Sequence, residues 1–266
     1  MIAFVFAAGL GTRLRPFTEH HPKAMVTVGD EPMIGRVLTK LRDAGIRKAY
    51  VNVHHFASEI VDFLRERDNF GLEIVISDET GLLLETGGAI VRCASKILAD
   101  KEPVLIHNSD ILTDFSLDDM MRTFDRSRAM AMLMVKDRES SRKLLFDRNL
   151  EMKGWRNVRE NRYRPPRVQF EKGLREYAFS GVHIISEFAV RSLVDYNKAL
   201  LRKDPARKTD DTGATPFSIT DFYIDKCGEM IFSAYLPEGA YRWFDIGKPE
   251  TLERAREAFA GKRQKL

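Results

Sequence analysis

Short apolar runs alternate with amphipathic stretches along the first half of the chain. The opening run IAFVFAA is apolar throughout, which is typical of a parallel strand that is buried on both faces. In MIGRVLTKLRDAG the apolar residues recur at helical spacing and predict a helix. Further strands are predicted at KAYVNVHH, LEIVIS, VLIH and AMAMLMV. Three helices are predicted between them: one capped by Ser58, one beginning at about Ala89 and one capped by Ser116. This alternation predicts an α/β fold with a doubly wound, mostly parallel, Rossmann-like sheet.

The second half of the chain begins with a less regular segment. From about residue 138 to residue 175 the periodicity fades, nine arginines occur, and a hairpin turn is predicted at Asp147 to Asn149. Regular elements then return as the strand YAFSGVHII, a helix from about Glu187, a helix capped by Ser218, the strands MIFSAYL and AYRWFDI, and a helix that Pro249 can start. We expect one domain over residues 1–266, with an excursion from the sheet at about 138–175.

Composition and charge narrow the functional classes. The 266 residues are 44% hydrophobic, which is an ordinary supply for a globular core, and the net charge of +4 permits an anionic partner without indicating nucleic acid. Cys93 and Cys227 lack metal-ligand spacing and are consistent with a reducing compartment. No apolar run approaches the length of a membrane span, and no targeting segment is visible. We therefore expect a cytoplasmic protein that binds neither nucleic acid nor membrane.

The glycine-containing segment AAGLGTRLRP directly follows the first predicted strand. Its glycines would let backbone N–H groups approach a phosphate chain closely. A dinucleotide fingerprint needs a small residue where Leu14 stands, and a Walker loop needs a Gly-Lys-Ser/Thr sequence that is absent. A bare strand-to-loop turn would explain the glycines but leave Thr12, Arg13 and Arg15 unexplained. The segment therefore predicts a polyphosphate-binding loop.

The longer segment FAAGLGTRLRPFTEHHPKAMVTVGDEPMI resembles the signature of the sugar-1-phosphate nucleotidylyltransferases, G-x-G-T-R-L-x-P-x-T followed by P-K. The matching residues are Gly9, Gly11, Thr12, Arg13, Leu14, Pro16, Thr18, Pro22 and Lys23. The resemblance implies the nucleotide-diphospho-sugar transferase fold. It also implies that a nucleotide-binding loop wraps the triphosphate, formed by Ala7, Ala8, Gly9, Gly11, Thr12 and Arg13. In this comparison Arg13 neutralises the phosphates and Lys23 holds the acceptor side of the reacting centre.

The motif ETGG lies where this family carries its nucleobase loop. The resemblance implies that Glu85, Thr86, Gly87 and Gly88 lie against the base. A helix N-terminus that needs small residues for packing is the alternative. The ETGG form is similar to the branch of N-acetylmuramate-1-phosphate uridylyltransferases and related mannose- or heptose-1-phosphate enzymes, and it leaves the base open.

Two aspartates end apolar strands, Asp110 in VLIHNSDIL and Asp245 in AYRWFDIG. An unpaired carboxylate in such a position is costly, so a cation or several hydrogen-bond donors should lie nearby. Both match metal-site aspartates of the family, and hard carboxylate oxygens suit Mg²⁺. The resemblance thus implies an Mg²⁺ site at Asp110 and Asp245, and a catalytic set of Arg13, Lys23 and Asp110. The alternative is that each aspartate only caps a loop.

The acceptor side is less sharply defined. The resemblance assigns the sugar phosphate to Lys23, Asn108, Glu171, Lys172 and Gly181, and it implies that the excursion at 138–175 contributes to the sugar side. For the phosphate, Lys153, Arg156 and Arg175 are alternatives to Lys172. The arginine-rich excursion is either a lid over the substrate or a solvated charged face.

The implied reaction is Mg²⁺-dependent transfer of a nucleotidyl group from a nucleoside triphosphate, UTP or GTP, to a sugar 1-phosphate. A cytidylyltransferase acting on phosphocholine or a similar small phosphate is the alternative within the family. A nucleotide-sugar sensor that keeps the pocket without turnover is the alternative outside catalysis, and a dinucleotide-dependent oxidoreductase is the alternative outside the family. We expect a monomer or a small homo-oligomer.

Overall fold

The computed structural model describes residues 1–259, which form two compact units. Unit 1 comprises Met1–Leu83, Leu105–Asp118 and the chain from Gly239, and unit 2 comprises Leu84–Val104 and Asp119–Glu238. The strands are β1 (Ile2–Phe6), β2 (Thr27–Val28), β3 (Glu31–Pro32), β4 (Lys48–Val53), β5 (Glu73–Asp78), β6 (Val104–Asn108), β7 (Ile111–Thr113), β8 (Ala131–Lys136), β9 (Arg142–Phe146), β10 (Met152–Asn157), β11 (Arg162–Arg164), β12 (Arg175–Ile185), β13 (Phe232–Tyr235) and β14 (Trp243–Asp245). The helices are α1 (Met33–Asp43), α2 (Ala57–Glu66), α3 (Glu85–Asp100), α4 (Leu117–Asp125), α5 (Glu187–Lys203), α6 (Ile219–Lys226) and α7 (Pro249–Phe259). The end of the predicted domain, at residue 266, lies outside the described residues.

Unit 1 is built on strands in the order β6-β1-β4-β5. β4 is parallel to both β1 and β5, and Val51 lies opposite Val5 on one side and Ile76 on the other. Phe4, Val5 and Val51 are fully buried, as expected for strands covered on both faces. The prediction of an α/β fold with a mostly parallel sheet is confirmed. In such sheets the loops after the carboxyl ends of the strands carry the ligand site.

The N-terminus of α2 differs from the prediction. The helix begins at Ala57, and the preceding residue, Phe56, has a left-handed conformation with φ of 54°. The Phe56 carbonyl accepts a hydrogen bond from the Glu59 amide at 3.1 Å, so Ser58 already lies within the first turn. A side-chain cap requires the residue before the helix to be extended. The prediction that Ser58 caps this helix is therefore wrong.

Unit 2 holds an antiparallel arrangement that includes the excursion. β12 is antiparallel to β8 and β9, β10 lies between β9 and β11, and β13 adds to β8 in parallel. The predicted hairpin turn joins β9 to β10, where the Asp147 carbonyl accepts from the Leu150 amide at 3.0 Å and its Oδ1 accepts from the Asn149 amide at 2.9 Å. Residues 138–175 thus form a small sheet extension.

The helices of unit 2 begin where their caps indicate, with one exception. Ser218 Oγ accepts from the Thr220 amide at 3.2 Å, which confirms the predicted cap of α6. α3 begins at Glu85 rather than near Ala89, so the ETGG motif is the first turn of this helix and not a loop before it. Glycines have low helix propensity, and tertiary contacts described below stabilise this turn. Within residues 1–259 no helix is both long and apolar enough to cross a membrane.

Candidate active site

The glycine loop leaves β1 with its backbone fixed by hydrogen bonds. Gly11 has a left-handed conformation with φ of 61°, and its carbonyl accepts from the Leu14 amide at 2.8 Å and from Thr18 Oγ1 at 2.9 Å. A Cβ atom at position 11 would lie 2.8 Å from Thr18 Cγ2 and 2.9 Å from Lys23 Cβ. Both the dihedral angle and the close approach therefore require glycine here.

A buried polar pair supports the start of this loop. The Ala7 amide donates to Asn52 Oδ1 at 2.8 Å, and Asn52 Nδ2 donates to Glu79 Oε1 at 2.9 Å. Asn52 and Glu79 are buried. Because the Ala7 N–H already donates to Asn52, a phosphate would have to bind to other N–H groups of the loop. Sequence analysis missed both residues, although an asparagine within the apolar run KAYVNVHH was a visible signal.

Lys23 and Asp110 form an ion pair in unit 1. Lys23 lies in a short 3-10 turn, Lys23–Met25, and Asp110 lies between β6 and β7. Lys23 Nζ donates to Asp110 Oδ2, and the two side chains are only 11% and 19% exposed. The expectation that a cation lies beside the strand-end carboxylate is met for Asp110 by this lysine.

Asp245 reaches the same place through strand pairing. β14 is antiparallel to β7, with Asp245 opposite Ile111, and the Ile246 amide donates to the Asp110 carbonyl at 3.0 Å. Asp245 Oδ1 accepts from the Gly247 amide at 2.9 Å. The two predicted metal-site aspartates are thus brought together although they are distant in sequence.

Gly247 marks the centre of this group. A Cβ atom there would lie 2.8 Å from Arg13 Nη2, 2.8 Å from Asp245 Oδ1 and 3.0 Å from Lys23 Nζ. Three charged side chains of unit 1, those of Arg13, Lys23 and Asp245, therefore lie around this glycine, and Asp110 joins them through its ion pair with Lys23. Sequence analysis missed Gly247, whose only signal was its place two residues after a strand-end aspartate.

The donor chemistry of this group fits Mg²⁺. Within residues 1–259 no set of three or more histidine, cysteine, aspartate or glutamate side chains could hold a metal ion by itself. Mg²⁺ commonly binds through one or two carboxylates, with substrate phosphates and water completing its shell. Asp110 and Asp245 supply that number of hard oxygen donors.

In unit 2 the glycines of the ETGG motif are needed for close packing. The Gly87 amide donates to the Phe217 carbonyl at 2.8 Å, and a Cβ atom at Gly87 would overlap the Phe217 ring. A Cβ atom at Gly88 would lie 2.5 Å from the Thr215 carbonyl oxygen. The packing alternative therefore accounts for both glycines, and contact of Gly87 and Gly88 with a base stays a prediction.

The other two residues of the motif have different environments. Thr86 Oγ1 accepts from the Ile219 amide at 2.9 Å and so satisfies a donor at the N-terminus of α6. Glu85 is exposed and has a φ of 57°, an uncommon conformation for this residue type. Its role at the base stays a prediction.

The residues assigned to the acceptor lie on separate elements. Asn108 ends β6 in unit 1 and is half-buried. In unit 2, Gly181 has a φ of 78° and lies where the pairing of β12 with β8 shifts register. Glu171 and Lys172 are exposed residues after a 3-10 turn, Pro166–Phe170. Their assignment to the sugar phosphate stays a prediction.

Two of the alternative phosphate ligands already have carboxylate partners. Arg156 Nη1 lies 2.8 Å from Glu176 Oε1. Lys153 Nζ lies 3.1 Å from Asp147 Oδ2 and 3.0 Å from Glu151 Oε2. The first pair links β10 to β12 and the second links β10 to the turn before it, and both pairs make the cations less available to a ligand.

Solved structures share this fold. UDP-glucose pyrophosphorylase complexed with UDP-glucose aligns over 99% of this chain and 100% of its own, with a TM-score of 0.71 and 19% sequence identity. HddC from Yersinia pseudotuberculosis complexed with GMP-PN aligns over 97% of this chain and 98% of its own, with a TM-score of 0.67 and 22% identity. At these identities the likeness is one of fold.

Curated sequences give higher identities over shorter regions. The N-acetylmuramate alpha-1-phosphate uridylyltransferase of Caulobacter vibrioides is 40% identical over 140 residues, which is 50% of this chain and 57% of that protein. The mannose-1-phosphate guanylyltransferase catalytic subunit beta of Drosophila pseudoobscura pseudoobscura is 34% identical over 121 residues, 45% of this chain and 32% of that protein. The chain therefore spans about half the length of the uridylyltransferase that it matches.

The family profile described as Nucleotidyl transferase matches residues 2–144. That range covers more than half of the chain, and it contains the glycine loop, Lys23 and Asp110. The chain belongs to the nucleotidyl transferase family.

Proposed function

We propose that this protein transfers a nucleotidyl group from a nucleoside triphosphate to a sugar 1-phosphate, with release of pyrophosphate and dependence on Mg²⁺. The observation that carries the proposal is the group of charged side chains at the glycine loop. Arg13, Lys23 and Asp245 lie around Gly247, and Asp110 is paired with Lys23. The family membership and the sugar-1-phosphate substrates in the relatives' names support it.

The residues suit an in-line displacement at phosphorus. An oxygen of the acceptor phosphate attacks the α-phosphorus, the bond from that phosphorus to the bridging oxygen of the β-phosphate breaks, and pyrophosphate leaves. No covalent nucleophile is needed, because catalysis of this kind rests on placing cations and N–H donors around the phosphate oxygens. Arg13 and Lys23 supply fixed positive charge, and the amides of the glycine loop supply donors.

Asp110 and Asp245 would hold the metal ion. When bound, Mg²⁺ neutralises phosphate charge and fixes the orientation of the polyphosphate. Lys23 balances the charge of Asp110 in the structure. The pair keeps the carboxylate in place, and the ammonium group would interact with the phosphate of the acceptor.

The finer assignments extend this proposal. UTP and GTP are the proposed donors, since the relatives include uridylyl- and guanylyltransferases. Asn108, Gly181, Glu171 and Lys172 are proposed for the acceptor. Cys93 and Cys227 are buried and are not joined by a disulfide bond, which supports a reducing compartment such as the cytoplasm.

The competing activities lack comparable support. A sensor that only binds a nucleotide sugar would not need all four charged residues of the site, which are Arg13, Lys23, Asp110 and Asp245. Phosphocholine is cationic, and we find no feature of the described site that favours it over a sugar 1-phosphate.

A matrix of nucleoside triphosphates against sugar 1-phosphates, assayed for pyrophosphate release with Mg²⁺, tests the proposal. We expect at least one productive pair, and its rate should fall about a hundredfold or more in Asp110→Asn. Asp62→Asn, an exposed change on α2, is the control and should keep its rate. Failure of every pair would remove the function, and full activity of Asp110→Asn would remove the role of that carboxylate.

A further inference from the structure

Two charged residues of the candidate active site, Arg13 and Asp245, are each followed by a member of one apolar cluster in unit 1. Leu14 follows Arg13, and Ile246 follows Asp245. The buried members of the cluster are Leu14, Val26, Val28, Met33, Leu112, Ile246, Ala255 and Phe259, with Phe244 and Leu252 packed against them. Closely packed side chains leave the backbone little freedom, so the cluster helps to fix where these charges stand.

The final helix, α7, completes this cluster. Ala255 and Phe259 are its buried members from α7, and the Phe259 ring lies edge-on to the ring of Phe244 in β14, with 6.2 Å between the ring centres. Arg256 Nε also donates to the Thr27 carbonyl of β2 at 3.3 Å. The position of β14 therefore depends on how α7 packs.

β14 needs such support because its pairing with β7 is short. The two strands form a two-stranded sheet of their own, in which the paired residues are Trp243 with Thr113, Phe244 with Leu112 and Asp245 with Ile111. A two-stranded pairing is at best marginally stable by itself. The end that carries Asp245 is closed by the hydrogen bond from the Ile246 amide to the Asp110 carbonyl, at 3.0 Å. Contacts at the opposite end should therefore help to decide whether Asp245 keeps its place relative to Asp110.

Arg242 makes contacts at that opposite end. Its amide donates to Asp114 Oδ1 at 2.6 Å, and its Nε donates to Asp114 Oδ2 at 2.7 Å. Its Nη1 donates to the Ala258 carbonyl at 2.9 Å, and its guanidinium group lies 4.1 Å from the centre of the Phe259 ring. A cation at the C-terminal end of a helix is stabilised by the carbonyl groups there. One side chain thus joins the residue after β7 to the last turn of α7.

We propose that Arg242 is a positioning residue for Asp245, and through that carboxylate for the divalent metal ion on which the proposed function depends. Arg242 precedes Asp245 by three residues, which is about 10 Å along a strand, and its guanidinium group is held by Asp114, Ala258 and Phe259. It therefore acts on the carboxylate through the position of β14 and not by contact with a substrate. Loss of this link should let β14 shift and should weaken metal binding.

Binding of Mn²⁺ to the full chain, measured by electron paramagnetic resonance, tests this role without an assay of activity. Mn²⁺ is the probe because it is suited to the same carboxylate ligands as Mg²⁺. We expect Arg242→Ala to raise the Kd for Mn²⁺ about tenfold, since residues that support metal ligands have effects of about that size. Asp245→Asn should raise the Kd at least as much, because it alters the ligand itself.

The matched control is Arg67→Ala, which removes another arginine of unit 1 that contacts a carboxylate and an aromatic ring. Arg67 Nη1 lies 3.7 Å from Glu31 Oε2, and the guanidinium group lies 5.6 Å from the centre of the Phe63 ring. This variant should keep the Kd of the unaltered chain.

Two further variants keep the test decisive. Arg242→Lys retains a positive charge beside Asp114 without the planar guanidinium group, and it should recover part of the affinity that Arg242→Ala loses. If Arg242→Ala does not fold, Asp114→Asn carries the test, since asparagine keeps an acceptor for the Arg242 amide but removes the ion pair.

Steady-state kinetics give the second readout. In Arg242→Ala the Mg²⁺ concentration at half-maximal rate should rise about tenfold, and kcat should fall about 10- to 100-fold. A purely structural role would lower the thermal midpoint and leave both values unchanged in the folded enzyme.

The outcomes separate the positioning role from the proposed function. If Arg242→Ala folds and its Mn²⁺ Kd matches that of the unaltered chain, Arg242 has no positioning role. If the unaltered chain uses no sugar 1-phosphate but its Mn²⁺ affinity depends on Asp245 and Arg242, the proposed function fails and the positioning role stands. If Mn²⁺ affinity does not depend on Asp245, there is no metal ligand to position and the inference is overturned.

Discussion

At the scale of single residues, Gly247 is the position where the smallest change should have the largest effect on chemistry. A methyl group there would press on Arg13 Nη2, Asp245 Oδ1 and Lys23 Nζ. These are the ends of flexible side chains, so they can move aside without unfolding the protein. We expect Gly247→Ala to lower kcat/KM about 10- to 100-fold, because small displacements of catalytic groups have effects of that size, while the thermal midpoint stays nearly unchanged.

The control for this change is Gly81→Ala. Gly81 is an exposed glycine of unit 1, and a Cβ atom there would meet no other atom within 4 Å. Equal activities of the two variants would show that Gly247 does not border the reacting groups.

His107 should make the protein sensitive to mild acid. Burial lowers the pKa of His107 from 6.5 to about 4, and the nearby Lys40 adds to this effect. The folded state therefore binds fewer protons than the unfolded state between these values. The resulting stability is present above about pH 6.5 and is lost as the pH falls toward 4. Between pH 7 and pH 5 this group should cost about 2 kcal/mol of the free energy of unfolding.

Urea denaturation at pH 7 and pH 5 measures this loss. His107 Nδ1 lies 2.8 Å from the Asn108 carbonyl oxygen, and glutamine keeps a donor for that carbonyl. His107→Gln should therefore remove most of the loss in the free energy of unfolding between pH 7 and pH 5. His55→Gln, a change at an exposed residue, should leave the loss between pH 7 and pH 5 unaltered. An unaltered pH dependence in His107→Gln would assign the acid sensitivity to other groups.

At the scale of elements, the first turn of α3 packs against the chain before α6 and also carries the glycines that are proposed to contact the nucleobase. Thr86→Val would leave the Ile219 amide without the acceptor that it has at 2.9 Å. We expect the free energy of unfolding to fall by about 1 kcal/mol, the cost of leaving such a donor unsatisfied. The KM for the nucleoside triphosphate should rise several-fold, since the turn carries Gly87 and Gly88.

Thr86→Ser keeps the hydroxyl group and should behave like the unaltered chain. Denaturant titration and steady-state kinetics on the two variants measure both quantities. A loss of stability in Thr86→Val without any change in KM would restrict the ETGG turn to packing.

The elements that sequence predicts well are those whose signal is local. β1 and β4 are continuous apolar runs, and Ser218 precedes its helix with the spacing of a cap, so neighbouring residues are enough to predict them. The start of α3 could not be predicted in this way. Its two glycines disfavour a helix locally, and the contacts with Thr215 and Phe217 that stabilise the turn come from far along the chain.

The candidate active site also combines residues that local motifs identify with contacts between residues distant in sequence. Arg13, Lys23, Asp110 and Asp245 could be named from motifs, but their convergence depends on the pairing of β14 with β7, which no local pattern indicates. Asn52 and Gly247 carry weak signals, because an amide in a strand or a glycine after one has many explanations.

At the scale of the whole molecule, binding of a nucleoside triphosphate with Mg²⁺ should raise the thermal midpoint. A ligand at about a hundred times its Kd adds about 2.7 kcal/mol to the stability of the state that binds it. For a chain of this size that corresponds to about 5 to 10 °C. EDTA and Asp110→Asn should each abolish most of the shift.

Scanning calorimetry with each nucleoside triphosphate, and with a nicotinamide dinucleotide as the negative control, measures this effect. We expect no stabilisation by the dinucleotide, because Leu14 occupies the position where a dinucleotide-binding fold requires a small residue. Stabilisation by the dinucleotide in place of the triphosphates would contradict the proposed function.

The pairing of β14 with β7 also has a consequence for the order in which the charged residues are synthesised. A ribosome releases Arg13, Lys23 and Asp110 long before it releases Trp243–Asp245, and in that interval Lys23 can neutralise Asp110 without a second carboxylate nearby. A chain that ends before β14 therefore lacks Asp245, the second carboxylate of the charged group. If the proposed function holds, nucleotidyl transfer can begin only after Trp243–Asp245 has been synthesised and has paired with β7.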